Sequence, residues 1–246
     1  MKGVITTIFL LFFLTKCKDS KTKTAAKNHL VDTTISTTTF HSITDTTENP
    51  ADTTLLHADT ASILGETYIA IYKTNDTLYV LSSKADTILK VPDLHPNFEF
   101  DDFNGDGLKD IRIHYMSNVP AIQDLLLFDK SKRNFKLVEN FSDFPDPNPV
   151  KGTKYYYSYH RSGCADMNWD SDSFFIENFK AVRIGNIAGR QCDNRDGEKD
   201  AVYIHKVRGD KEKLFKTLPI DTIWKYKDFK WGFIQEYWTK NYKLFM

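Results

Sequence analysis

Two hydrophobic patterns divide the chain. The first is one apolar run, Gly3 to Leu14 (GVITTIFLLFFL), preceded by Lys2. It has the length of a signal-peptide core and falls short of the roughly 20 residues that span a bilayer. The second begins near Ile63, where short stretches alternate apolar and polar positions between turn signals. Thr67 to Lys73 (TYIAIYK) and Thr77 to Ser82 (TLYVLS) flank Thr74-Asn75-Asp76 and predict a hairpin. Asp110 to Met116 puts Ile111, Ile113 and Tyr115 on one face, with Arg112 and His114 on the other. Asp124 to Asp129 and Asn134 to Val138, on either side of Lys130-Ser131-Lys132-Arg133, predict a second hairpin. Further strands are expected at 153–160, 171–176, 180–185, 201–207 and 229–235. No stretch sustains helical periodicity for three turns. The expected fold is mainly β: a single antiparallel β domain over 63–246, built as a sandwich, barrel or small propeller.

Between the two patterns, periodicity disappears. From Lys21 to Thr60, thirteen of forty residues are threonine and none is glycine. Such a segment cannot bury enough apolar surface to offset its ordering entropy, so residues 17–62 are expected to be a disordered tether. A random coil of that length separates its ends by on the order of 35 Å.

Charge narrows the function classes. Lysine plus arginine equals aspartate plus glutamate, 33 each, so there is no basic footprint for nucleic acid. None of the seven histidines pairs with another at zinc-ligand spacing. No H-E-x-x-H, G-x-S-x-G, P-loop or dinucleotide fingerprint occurs. Ser158, His160 and Asp166 are nucleophile, base and acid types on one strand and its turn. Alternation would place Ser158 and His160 about 7 Å apart, too far for a nucleophile–base hydrogen bond. An enzyme is not expected.

The cysteines change the picture more. Leu14-Thr15-Lys16-Cys17 resembles the lipobox of bacterial lipoproteins, although Lys16 stands where that family prefers a small residue. The resemblance implies a signal peptide over 1–16 and acylation of Cys17. The protein would then be lipid-anchored at the outer membrane of a bacterial envelope, held durably by several acyl chains. Lys18-Asp19 resembles a short form of the surface-export signal of some lipoproteins, or is simply polar tether. With Cys17 lipidated, Cys164 and Cys192 remain as an even pair in an oxidising compartment. Both lie in polar, turn-rich stretches (SGCAD, RQCDNRDG), which suits a disulfide staple between loops.

Asp102-Phe103-Asn104-Gly105-Asp106-Gly107-Leu108-Lys109-Asp110 is a D-x-N-x-D-G-x-x-D loop. Asp102, Asn104 and Asp106 alternate, so their oxygens can converge on one hard cation. Leu108 would add its backbone carbonyl and Asp110 a fourth side chain, and the cation expected is Ca2+. Three carboxylates this close repel unless something neutralises them. The loop resembles the first nine places of an EF-hand but has Ile113 at the twelfth, where a glutamate is required. It is therefore similar to the shorter calcium loops between β-strands in integrin-type (FG-GAP) extracellular repeats. The bland alternative is a metal-free Asn-Gly-Asp-Gly turn.

The order of features over 97–163 resembles a wider family as well: periplasmic calcium-loop proteins related to bacterial lysozyme inhibitors. The shared features are the loop running into Asp110-Ile111-Arg112, a turn at Pro120, and the hairpin from Leu126 to Phe135. A strand ending in Tyr159-His160-Arg161-Ser162-Gly163 completes the match. The resemblance implies a non-enzymatic immunity protein whose Arg161-Ser162-Gly163 loop meets a peptidoglycan hydrolase. Inhibitors of that kind often carry a tyrosine just after the Ser-Gly pair, and here Cys164-Ala165-Asp166 follows instead. A surface adhesion or glycan-binding module is the alternative. Its sequence basis is the C-terminus, where Trp224, Tyr226, Phe229, Trp231, Phe233, Tyr237 and Trp238 interleave with lysines. Those aromatics would equally serve as a core-filling closing strand.

Overall fold

The computed structural model describes residues 54–93, 97–192 and 199–246. Three antiparallel sheets make up most of it. Sheet A is a meander of β1 (Leu55–Ile63), β2 (Glu66–Lys73), β3 (Thr77–Leu81) and β4 (Thr87–Val91). Sheet B repeats that plan with β5 (Phe98–Asp101), β6 (Asp110–His114), β7 (Gln123–Asp129) and β8 (Asn134–Leu137). Sheet C comprises β9 (Asn148–Pro149), β10 (Tyr155–Tyr157), β11 (His160–Arg161), β12 (Trp169–Glu177), β13 (Lys180–Arg190), β14 (Ala201–Arg208) and β15 (Lys211–Pro219). Its order is β15-β14-β13-β12-β10-β9, with the short β11 pairing with β12. The helix α1 (Lys230–Asn241) follows.

The sheets stack in series, and the side-chain alternation shows why. Tyr68, Ala70 and Tyr72 of β2 share a core with Phe98, Ile111, Ile113, Leu126 and Phe128 of sheet B. The intervening positions of β7, Leu125 and Leu127, face the other way, into a second core with Phe141, Phe144, Tyr156 and Phe174. An almost continuous apolar strand is what burial on both faces demands. The opposite face of sheet C (Trp169, Ile187, Val202, Ile204) is covered by Phe233, Ile234 and Trp238 of α1 and by Phe245. Close packing there leaves no room for a side chain on Gly189, where a Cβ would collide with the Trp169 indole.

Both predicted hairpins form: β2 pairs with β3 from Lys73↔Thr77, and β7 with β8 from Asp129↔Asn134. Asp76 takes a left-handed φ of 53° in the first turn and accepts a hydrogen bond from Tyr72 Oη at 2.7 Å. Two expectations change, and one strand was not expected. The last element, expected as a strand over 229–235, is a helix of twelve residues, because Phe233, Ile234, Tyr237 and Trp238 recur at helical spacing. The tether was expected to reach residue 62, yet β1 already begins at Leu55. Its outer half is exposed, so its alternation is too weak to stand out from the threonine-rich run. Finally β15, with the sequence KEKLFKTLP, is an edge strand exposed along nearly all its length.

Among the described residues no sheet closes into a barrel. No helix there is long and apolar enough to cross a membrane. The signal peptide with Cys17, and most of the expected tether, lie outside the described residues.

Candidate functional site

The Asp102–Asp110 loop joins β5 to β6 and is wound by its own side chains. Asn104 Oδ1 accepts the Asp106 amide at 2.9 Å, and Asp106 Oδ1 accepts the Leu108 amide at 2.8 Å. Asp102 Oδ2 accepts the Gly107 amide at 3.0 Å. Gly105 and Gly107 have φ of 73° and 84°, in the region where glycine is favoured. Asp110 is buried, and its two oxygens accept the amides of Phe128 (2.9 Å) and Phe103 (3.2 Å). Burial pushes its carboxyl up to about 7, the Asp106 and Asp102 charges adding to the effect and the two amides opposing it.

These oxygens fit a hard cation in kind. Asp102 Oδ1 is shielded from solvent and has no hydrogen-bond donor, a costly arrangement for an ionised oxygen unless something positive reaches it. Among the described residues no three His, Cys, Asp or Glu side chains form a metal cage by themselves. The three carboxylates of the expected ligand set, Asp102, Asp106 and Asp110, are not drawn together in that way, and both Asp110 oxygens accept backbone amides instead. The loop also reaches into the protein. Phe103 stacks on Tyr156 of β10 with centroids 4.8 Å apart, and meets Phe141 edge-on at 5.1 Å.

The second expected site, Arg161-Ser162-Gly163, leaves β11 and enters a tight turn. Arg161 and Gly163 are exposed. Ser162 is half-buried and its hydroxyl donates to Asp170, so it faces the protein rather than a partner. Cys164, Ala165 and Asp166 have φ of 53°, 50° and 71°, a left-handed run that L residues adopt only when their surroundings impose it. Several restraints do so. Cys164 and Cys192 form the expected disulfide, with Cα atoms 6.2 Å apart. Asp166 accepts from Tyr159 Oη and pairs with Lys230 Nζ at 2.8 Å. Burial would push the Asp166 carboxyl up, but Lys230 and Tyr159 hold it below its ordinary value. Ala165 and Met167 are exposed, giving the turn a small apolar tip.

A third constellation went unnoticed in the sequence. One face of sheet C carries Asp170 and Asp172 (β12), Asn186 and Arg190 (β13), and Tyr203 and His205 (β14), lining a cleft of about 380 Å³. Arg190 pairs with Asp170 at 3.0 Å. Arg183 pairs with Asp172 at 3.2 Å and also with Glu212. Asn186 Nδ2 donates to Asp172 at 3.0 Å, and His160 Nε2 lies 3.8 Å from the same carboxylate. Asp172 raises the His160 pKa against the effect of burial, and Asp170 adds to the rise. Polar residues two apart on β12 (Asp170, Asp172) and β14 (Tyr203, His205), and four apart on β13 (Asn186, Arg190), were the available signal. Ser158 and Asp166, the other two residues of the expected non-triad, have separate partners: Ser158 Oγ accepts the Asp172 amide at 3.1 Å.

No family model matches the chain, and no curated protein matches it. Among solved structures it is similar to one described as "Structure of a Xanthomonas Type IV Secretion System related protein". That likeness has a TM-score of 0.43 and 18% identity, covering 67% of this chain and 98% of the other.

Proposed function

We propose that this protein is an envelope-anchored, calcium-stabilised binding lipoprotein, without enzymatic activity of its own, that inhibits a peptidoglycan hydrolase through the turn after β11. The observation that carries the reading is the left-handed run Cys164-Ala165-Asp166, fixed by a disulfide and by the Tyr159–Asp166–Lys230 contacts. Strain kept in an exposed turn by so many restraints suits a recognition element, because a loop ordered beforehand loses little entropy on binding. Arg161, Gly163, Ala165 and Met167 are its outward positions. Ser162, expected to face the partner, serves to position the turn.

Ca2+ would be held by Asp102, Asn104, Asp106, Asp110 and the Leu108 carbonyl. The donorless oxygen of Asp102 and the raised pKa of buried Asp110 support that assignment. The ion would supply positive charge to a crowded anionic loop and so stabilise the fold. A cation bound only by the folded state adds RT ln(1 + [Ca]/Kd), about 1.4 kcal/mol at tenfold excess over Kd.

The test is inhibition of c-, g- and i-type lysozymes and of a lytic transglycosylase in a cell-wall clearing assay, paired with thermal melts. Inhibition of at least one enzyme is expected. Met167→Asp should weaken it roughly tenfold, as loss of a buried apolar contact does, and leave the melt unchanged. Calcium should raise the melting temperature of the wild type and not that of Asp106→Ala. Absence of inhibition across the panel, or inhibition indifferent to Met167→Asp, defeats the inhibitor reading. A wild-type melt indifferent to calcium defeats the metal.

A further inference from the structure

Where β10 and β11 meet the first turn of α1, an aromatic pair borders two adjoining clefts. The rings of Tyr159 and Trp231 lie with centroids 3.9 Å apart, tilted by 54°. Trp231 is still 45% exposed, although it packs against its neighbour. Two clefts of about 140 and 270 Å³ share Asp146, Tyr159 and Trp231. The larger is rimmed by Asn148 and Gln235. The smaller reaches His160, which also borders the polar cleft on sheet C. Indole, amides and carboxylates thus border two adjoining clefts that form a short trough.

We propose that this trough binds a β-linked chain of pyranose sugars. A pyranose ring has flat faces of C–H bonds and a rim of hydroxyls. The exposed Trp231 indole, backed by the buried Tyr159 ring, matches the first, and planar amide and carboxylate groups match the second. Two adjoining clefts on one indole suit linked units. Equatorial β-linkages keep such a chain flat and extended across both, whereas α-1,4 linkages curl it. The charges point to neutral sugars rather than a polyanion. Lys230, whose ammonium lies 5.3 Å from both ring centroids, is paired with Asp166 at 2.8 Å, and Arg161 faces the same carboxylate at 4.0 Å. The inhibitor reading is not required, although Arg161 and Asp166 of that turn also line the smaller cleft, because its apolar tip at Ala165 and Met167 lines neither.

Calorimetric titration of the full chain, disulfide intact, with chitotetraose, cellotetraose and α-linked maltotetraose tests the proposal. Saturable binding of at least one β-linked tetraose is expected, roughly tenfold tighter than its monosaccharide. Trp231→Ala and Asn148→Ala should each weaken it by about fivefold or more, the loss of one stacking or hydrogen-bonding partner. Trp224→Ala, whose indole packs on Phe229 outside the trough, should leave it unchanged. Should Trp231→Ala fail to fold, Asn148→Ala decides. Three results would overturn the proposal: no binding of either β-tetraose at millimolar concentration, maltotetraose binding equally well, or unchanged affinity in the folded trough variants.

Discussion

Asp172 is where sheet C's polar face converges, since Arg183, Asn186 and His160 all approach its carboxylate. A buried carboxylate is tolerable only with such company, and the arrangement leaves a mark in pH. The Asp172 contact raises the folded-state pKa of His160 above its ordinary 6.5. The folded protein therefore binds that proton more tightly than the unfolded chain does. The resulting stability is fully present below about pH 6.5 and disappears as pH rises through the raised folded value. His160→Gln should accordingly destabilise the protein more at pH 5.5 than at pH 8.5 in denaturant titrations. Equal losses at the two pH values would show that the pair is not charge-assisted. Asp172 was not singled out from sequence because W-D-S-D-S reads as a polar interruption of a strand. Only pairing with β13 and β14 shows that its acidic positions share a face with Asn186, Arg190 and His205.

Among the elements, strands bounded by clear turn signals were legible in the sequence, the doubly buried β7 included, whereas β1, β15 and α1 were not. The strands β2, β6 and β8 and both hairpin turns follow from alternation and turn residues. In α1 the aromatics at 231 and 233 satisfy a strand's period while 233, 234, 237 and 238 satisfy a helix's. Short windows favour the wrong one, and packing on sheet C decides. The calcium-type loop was legible as a motif, but its mechanical connection was not. Phe103, which donates no ligand in that motif, joins the loop to sheet C through Tyr156 and Phe141. Phe103→Ala should cost about 2–3 kcal/mol in chemical denaturation, below the roughly 3–5 kcal/mol of a fully buried phenylalanine, because its ring is half-buried. A cost below about 0.5 kcal/mol, usual for surface substitutions, would mean that the loop is not joined to the core in this way.

At the scale of the whole molecule, the proposed lipidation of Cys17, ahead of a threonine-rich spacer, predicts partition with membranes. Full-length protein made in a bacterial host is expected in the detergent phase, and Cys17→Ala in the aqueous phase. Soluble wild-type protein would remove the anchor from the picture. Membrane attachment also gives new weight to β15. An anchored population is crowded into two dimensions, with its domains sharing one layer above the lipid, so lateral encounters between copies are frequent. The outer side of β15 offers each neighbour an unpaired row of backbone donors and acceptors, the template from which cross-β ribbons grow. Lys211, Lys213 and Lys216 place like charges along that row, so two copies approaching edge to edge repel before their backbones can zip together. In an anchored protein the lysines would thereby guard against surface-nucleated fibrils, a hazard that tethering itself creates.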